Sequence, residues 1–126
     1  MIKIVGLGPG AKEALTIGTI CELESNKNVF LRTEKHPTVD YLREKNIEFK
    51  TYDNVYESIG SFDEVYLNIA NDLVKKHEEL GNLIYAVPGH PLVAEKSVFN
   101  LIELCDQNEI EYKIIPAVSF IDAMIE

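Results

Sequence analysis

The chain has 126 residues, the size of one small domain. At 46% hydrophobic and 26% charged residues it has the balance of a folded globular protein, and it carries no apolar run long enough for a membrane-spanning helix. The net charge of -9 argues against a nucleic-acid partner, and two cysteines with no secretory signal at the start point to a cytoplasmic protein without a disulfide framework.

Residues 2–7 (IKIVGL) are a short β-branched run ending in Gly-Pro-Gly, the pattern of a buried strand. Thr16 is placed to open a helix to about Ser25, with Ile17, Ile20 and Cys21 as its apolar stripe. Residues 28–32 (NVFLR) read as a second strand. Pro37 starts a helix that buries Val39 and Leu42 and stops at Asn46. Residues 47–51 (IEFKT) alternate as a third strand. Ser61 and Glu64 form an S-x-x-E capping box for the clearest helix, and Phe62, Val65, Tyr66, Ile69, Ala70 and Leu73 recur on its core-facing side. Lys75, Lys76 and His77 suit its negative C-terminal end, and Gly81 stops it. Residues 82–88 (NLIYAVP) lack polar alternation after Asn82, as in a strand buried on both faces. Pro91 is expected to begin a helix through about Asp106, with Val93, Ser97, Val98, Leu101, Ile102 and Cys105 inward. Residues 111–115 (EYKII) form a fifth strand. Ser119 caps a last short helix that reaches Glu126 without a stop signal, so the chain is expected to be part of a longer protein. Strands alternating with helices predict an α/β fold: a five-stranded, mostly parallel sheet with helices on both faces.

In such a sheet, ligands bind beyond the carboxyl ends of the strands. Three loops leave strands there: GLGPG (6–10), PGHPLV (88–93) and PAVSF (116–120). Gly6, Gly8 and Ala11 fit the dinucleotide pattern G-x-G-x-x-A, but Pro9 removes an N–H from any phosphate cradle, and the helix begins only near Thr16. The plain alternative is a tight turn. His90 is either a helix cap ahead of Pro91 or part of a rigid loop that Gly89 opens to a ligand. Ser119 is either an N-cap or a hydroxyl directed at a ligand's carboxylate.

Taken together, GLGPG, GHPLVA and PAVSFIDA, in this order and spacing, resemble the tetrapyrrole (corrin/porphyrin) methylase family. Its members are S-adenosylmethionine (SAM)-dependent methyltransferases with two α/β domains and the cofactor between them. The resemblance covers residues 1–126 and implies that they form the N-terminal domain of that fold. LRTEKHPTVDYL and YAVPGHPLVAE are similar to a subgroup fused to a MazG-type nucleotide pyrophosphohydrolase. The resemblance implies SAM as cofactor, with Pro9 beside it, His90 and Val93 lining its site, and Ser119 and Phe120 in contact with it. Position 90 is typically aspartate in active members. A neutral imidazole cannot give that negative charge to a sulfonium or ammonium, so either backbone groups carry the binding or the affinity is altered.

Two functions follow from the resemblance. One is SAM-dependent methyl transfer to a small-molecule acceptor, completed by a C-terminal methylase domain. The other is a non-catalytic SAM- or small-molecule-binding regulatory module beside a MazG-type domain. Methyl transfer needs mainly the alignment of donor and acceptor, and no Ser–His–Asp or Cys–His set is evident. His36, His77 and His90 lack metal-ligand spacing, so no metal is expected. Cys21 and Cys105 read as core residues. Glu103 and Asp106 supply only half of the pyrophosphohydrolase carboxylate pattern. The chain alone is expected to bind SAM weakly, to transfer no methyl group, and to self-associate through an uncovered apolar edge.

Overall fold

The computed structural model describes residues 1–58 and 60–125. Strands β1 (Ile2–Gly6), β2 (Val29–Leu31), β3 (Lys50–Thr51), β4 (Leu83–Val87) and β5 (Tyr112–Ile115) form one sheet in the order β3-β2-β4-β1-β5. Each strand pairing is parallel, and Ile4 at the centre stands opposite both Tyr85 and Ile114. Helices α1 (Ile17–Ser25) and α2 (Thr38–Glu44) cover one face. Helices α4 (Phe62–Leu80) and α5 (Lys96–Gln107) cover the other, and α3 (Asp53–Ser58) and α6 (Phe120–Ile125) are short. The expected α/β architecture is the one observed.

β4 shows why both faces must be covered. Side chains alternate along a strand, so Leu83, Tyr85 and Val87 enter one core while Ile84 and Ala86 enter the other. The first core is completed by Val65, Ile69 and Leu73 of α4 and Val98, Leu101 and Cys105 of α5. The second is completed by Leu23 of α1 and Val39 and Leu42 of α2. Each large apolar side chain buried in this way contributes about 1.5–3 kcal/mol.

The order of connections positions the site. From β1 the chain works outward to β3 through α1 and α2 on one face. It then returns through α4 to β4, next to β1, and continues through α5 on the opposite face. The loops leaving neighbouring β1 and β4 therefore diverge to opposite faces, which opens a crevice between their carboxyl ends.

Several local expectations need correction. Thr16 does cap α1, its hydroxyl accepting from Thr19 N at 3.1 Å. The inward residues of α1 are Thr19 and Leu23, whereas Ile17 is 84% exposed and Cys21 is exposed rather than core. The helix is turned so that the Thr19 hydroxyl can donate to Gly6 O at the end of β1 (3.3 Å). Phe62 is likewise exposed, stacked on Tyr66 instead of in the core. The third strand shortens to Lys50–Thr51 because Ile47 ends α2: Asn46, at φ 58, donates to Arg43 O, and Ile47 donates to Leu42 O. This is a Schellman closure, and Ile47 is its buried apolar residue. The helix expected at Pro91 starts at Lys96. Ala94 at φ 56 breaks any earlier helix, and Val93 N donates to His90 O in a separate turn, so Val93 is not on an inward helical face. The short helix α3 carries no apolar periodicity and was not expected. Among the described residues, no helix is long and apolar enough to cross a membrane.

Candidate functional site

Beyond β1 the ladder to β4 continues through Leu7 N and Val87 O (2.8 Å) and then changes character. Gly8 and Gly89 form an antiparallel pair, Gly8 N to Gly89 O at 3.2 Å and Gly89 N to Gly8 O at 2.8 Å, with φ of 75 and 69 degrees. Only glycine adopts this backbone freely. The third loop closes on the same point. A Cβ on Gly6 would lie 2.1 Å from Gly89 O, 2.6 Å from Ala117 Cβ and 3.0 Å from Pro91 Cδ. Loops from β1, β4 and β5 thus touch around one α-carbon. Pro9, His90, Val93, Ser119 and Phe120 all belong to these loops or to the residue that follows, and the fold brings them to one rim.

The β2–α2 loop straps this assembly. Thr38 N donates to His36 Nδ1 (3.3 Å), so Nε2 carries the ring proton and donates to Gly8 O (3.1 Å). The Thr38 hydroxyl lies 3.2 Å from both Leu7 O and Gly10 O. Burial holds the His36 pKa below its ordinary value; the bond to Gly8 opposes this and the Arg32 charge adds to it. The imidazole is accordingly neutral near pH 7.

His90 does not cap α5. Its Nδ1 accepts from Leu92 N at 3.0 Å within its own turn. Ser119 is an N-cap: its hydroxyl accepts from Asp122 N (3.3 Å), while the Asp122 carboxylate accepts from Ser119 N and Oγ (3.0 and 3.1 Å). These bonds hold the Asp122 carboxyl below its usual range, and His90 lies near enough to act in the same direction. A carboxylate therefore stands at this rim although position 90 lacks one. Ser119 was legible as the cap from its residue type ahead of a short helix; the proximity of Asp122 to His90 had no sequence signal. On the open side, nothing approaches within 4 Å of where a Gly89 Cβ would be, so a ligand has access to the backbone there.

One strand further along the same edge lies a polar cluster that the sequence reading did not single out. Arg32 N donates to Ala86 O (3.0 Å), which seats Arg32 beside the end of β4. Its Nε stands 3.2 Å from the buried Glu95 carboxylate, off the hydrogen-bond line, so the contact is an ion pair. Its Nη1 donates to Tyr56 OH at 2.7 Å. Burial pushes the Glu95 carboxyl above its ordinary range, and the guanidinium offsets part of this.

Strand order and crevice together define a doubly wound α/β domain whose switch point lies between β1 and β4. Residues 1–126 match the family model of the Tetrapyrrole (Corrin/Porphyrin) Methylases, and the chain belongs to this family. It is 36% identical over 122 residues to the uncharacterized protein YabN of Bacillus subtilis (strain 168), an alignment covering 97% of this chain and 25% of that protein. Among solved structures it is similar to a uroporphyrin-III-C-methyltransferase from Thermus thermophilus, with TM-score 0.74, 21% identity, and coverage of 98% of this chain and 50% of the other. A structure of such an enzyme from the same organism complexed with S-adenosyl homocysteine gives TM-score 0.68 at 15% identity, covering 98% and 50% of the two chains. The chain thus spans about a quarter of the curated relative and about half of the solved structures.

Proposed function

We propose that this chain is the cofactor-binding half of a SAM-dependent methyltransferase of the tetrapyrrole methylase family, acting on a small-molecule acceptor. The observation that carries this is the meeting of three loops at Gly6, with the Gly8–Gly89 pair at the switch point and an unobstructed approach to Gly89. Bound SAM supplies a methyl group on a sulfonium that is already activated for displacement. The chain's own residues then need only bind and align. The Gly89 backbone admits the nucleoside, and Pro9, His90 and Val93 shape the walls. Ser119 holds the third loop through its cap, with Phe120 next to it. Asp122 provides a negative charge near His90. Exposed Leu92, Phe120, Ile121 and Met124 border the rim, where a C-terminal methylase domain would cover them.

His90 favours a second reading, a regulatory SAM- or small-molecule-binding module attached to a MazG-type pyrophosphohydrolase. That YabN is about four times as long as the aligned region allows room for such an attachment. Calorimetric titration with SAM and S-adenosylhomocysteine tests both. Binding that is lost in Gly89→Val supports the site, and binding without turnover in the full-length protein favours the regulatory reading. If neither compound binds the full-length protein, methyl transfer is refuted.

A further inference from the structure

We infer that the chain has a second ligand site, an oxyanion pocket at the carboxyl ends of β2 and β3, built by Arg32, Lys35 and Tyr56. A cavity of about 260 Å³ lies there, lined by these three residues with Thr33 and Asp53. Its balance of donors and acceptors selects the ligand. Asp53, the carboxylate on the wall, is turned into the loop: Oδ1 accepts from the Thr33 hydroxyl (2.6 Å) and Oδ2 from Glu34 N (2.9 Å). These bonds hold its carboxyl below the usual range despite some desolvation, so it stays ionised but occupied. The Thr33 hydroxyl also accepts from Lys35 N (3.0 Å) and is spent. Donors remain. Glu95 grips one edge of the Arg32 guanidinium at Nε, and Tyr56 takes one Nη1 proton, which leaves a planar donor group with more N–H groups than these two contacts use. The Tyr56 hydroxyl accepts from Arg32 and so has its own proton to give. Lys35 adds an ammonium at the mouth.

A guanidinium fixed by a buried carboxylate, next to a hydroxyl and an ammonium, is a receptor for a carboxylate or phosphoryl oxyanion. Two cations, Arg32 and Lys35, balance the carboxylates of Glu95 and Asp53 there, so the pocket is locally neutral in a chain of net charge -9. Its position gives it a use. Arg32 pairs with the end of β4, Glu95 ends the same connection that carries His90, and His36 of the Arg32 loop bonds Gly8. The pocket is therefore one strand from the crevice along a common edge. If the crevice holds the methyl donor, as proposed above, this pocket anchors an acidic group of the acceptor.

The chain has two arginines, Arg32 and Arg43, the second 51% exposed, paired with Glu34 and outside the pocket lining, so selective 15N-arginine labelling reports the site with an internal control. Titration with inorganic phosphate and, separately, with succinate at constant ionic strength is expected to shift the Arg32 Nε–H signal saturably and leave Arg43 unmoved. The tighter of the two anions tells a phosphoryl from a carboxyl ligand. Lys35→Ala and Tyr56→Phe, which both retain the Arg32–Glu95 pair, should each weaken binding by about fivefold. Equal linear drift of both arginine signals, or unchanged binding in both variants, overturns the proposal. In uniformly 15N-labelled protein, S-adenosylhomocysteine titrated alone should perturb the Gly8 and Gly89 amide signals instead. Failure of that arm with success of the anion arm removes the acceptor role and keeps the site.

Discussion

The most exposed physical claim is the crowding at Gly6, and Gly6→Ala tests it with three atoms. The new methyl would sit 2.1 Å from Gly89 O, a backbone atom already bonded to Gly8 N, and 2.6 Å from Ala117 Cβ. Neither is the free end of a flexible side chain, so relief requires moving the β4 loop, the β5 loop or both. Overpacking without room to relax costs about 1–3 kcal/mol, and two stiff neighbours place this case near the top of that range. For a domain of this length each kcal/mol lowers Tm by about 4 °C, so a fall of roughly 8–12 °C is expected in calorimetry or thermal circular dichroism. Gly18→Ala is the matched control. Its methyl would meet Ile115 Cγ2 at 3.8 Å, and Gly18 is the second residue of α1, where alanine is favoured by at most about 1 kcal/mol, so Tm should not fall and should rise by no more than about 4 °C. Gly6→Ala should also lose S-adenosylhomocysteine binding at temperatures where the variant is still folded. A Gly6→Ala protein as stable as wild type would mean that the three loops do not meet as described.

Three further outcomes follow. Because burial depresses the His36 pKa in the folded chain, the unfolded chain binds the proton more readily; the His36 contribution is complete above pH 6.5 and is lost as pH falls through the lower folded value. Urea titrations of wild type and His36→Gln between pH 7.5 and 5 should converge toward the acid end, and parallel curves would refute this role. Cys21 is exposed while burial raises the Cys105 thiol to about 11, so a thiol reagent at pH 8 should modify one cysteine in the native chain and two in denaturant, as mass spectrometry will count. Arg32→Met should destabilise by about 3 kcal/mol by leaving the Glu95 carboxyl buried without its cation, and adding Glu95→Leu should recover most of that loss in chemical denaturation; additive losses would show that the pair does not act as a unit.

Several expectations rested on patterns that are local and were therefore legible. Ser61 and Thr16 cap their helices, Asn46 and Gly81 end theirs, and LIYAV has no polar alternation because both faces of β4 are covered. The phrases around Gly6, Gly89 and Ser119 carried the family, since each loop needs particular residues within a few positions. Helix rotation was less legible. On α1 the stripe Ile17, Ile20, Cys21 is as regular as Thr19 and Leu23, and the choice between them was made by a bond from Thr19 to Gly6, 13 residues away.

What the sequence determined by itself is the α/β alternation and the three loop motifs, because backbone propensity, capping and burial of a continuous apolar run all act over short distances. Tertiary structure alone decided the strand order β3-β2-β4-β1-β5, and with it that Gly6 meets Gly89 and Ala117, that His36 holds Gly8, and that Arg32 faces Glu95. These partners are separated by 28 to 111 positions, and no local preference links them. They become neighbours only when the switch of connections between β1 and β4 folds both halves of the sheet onto one edge.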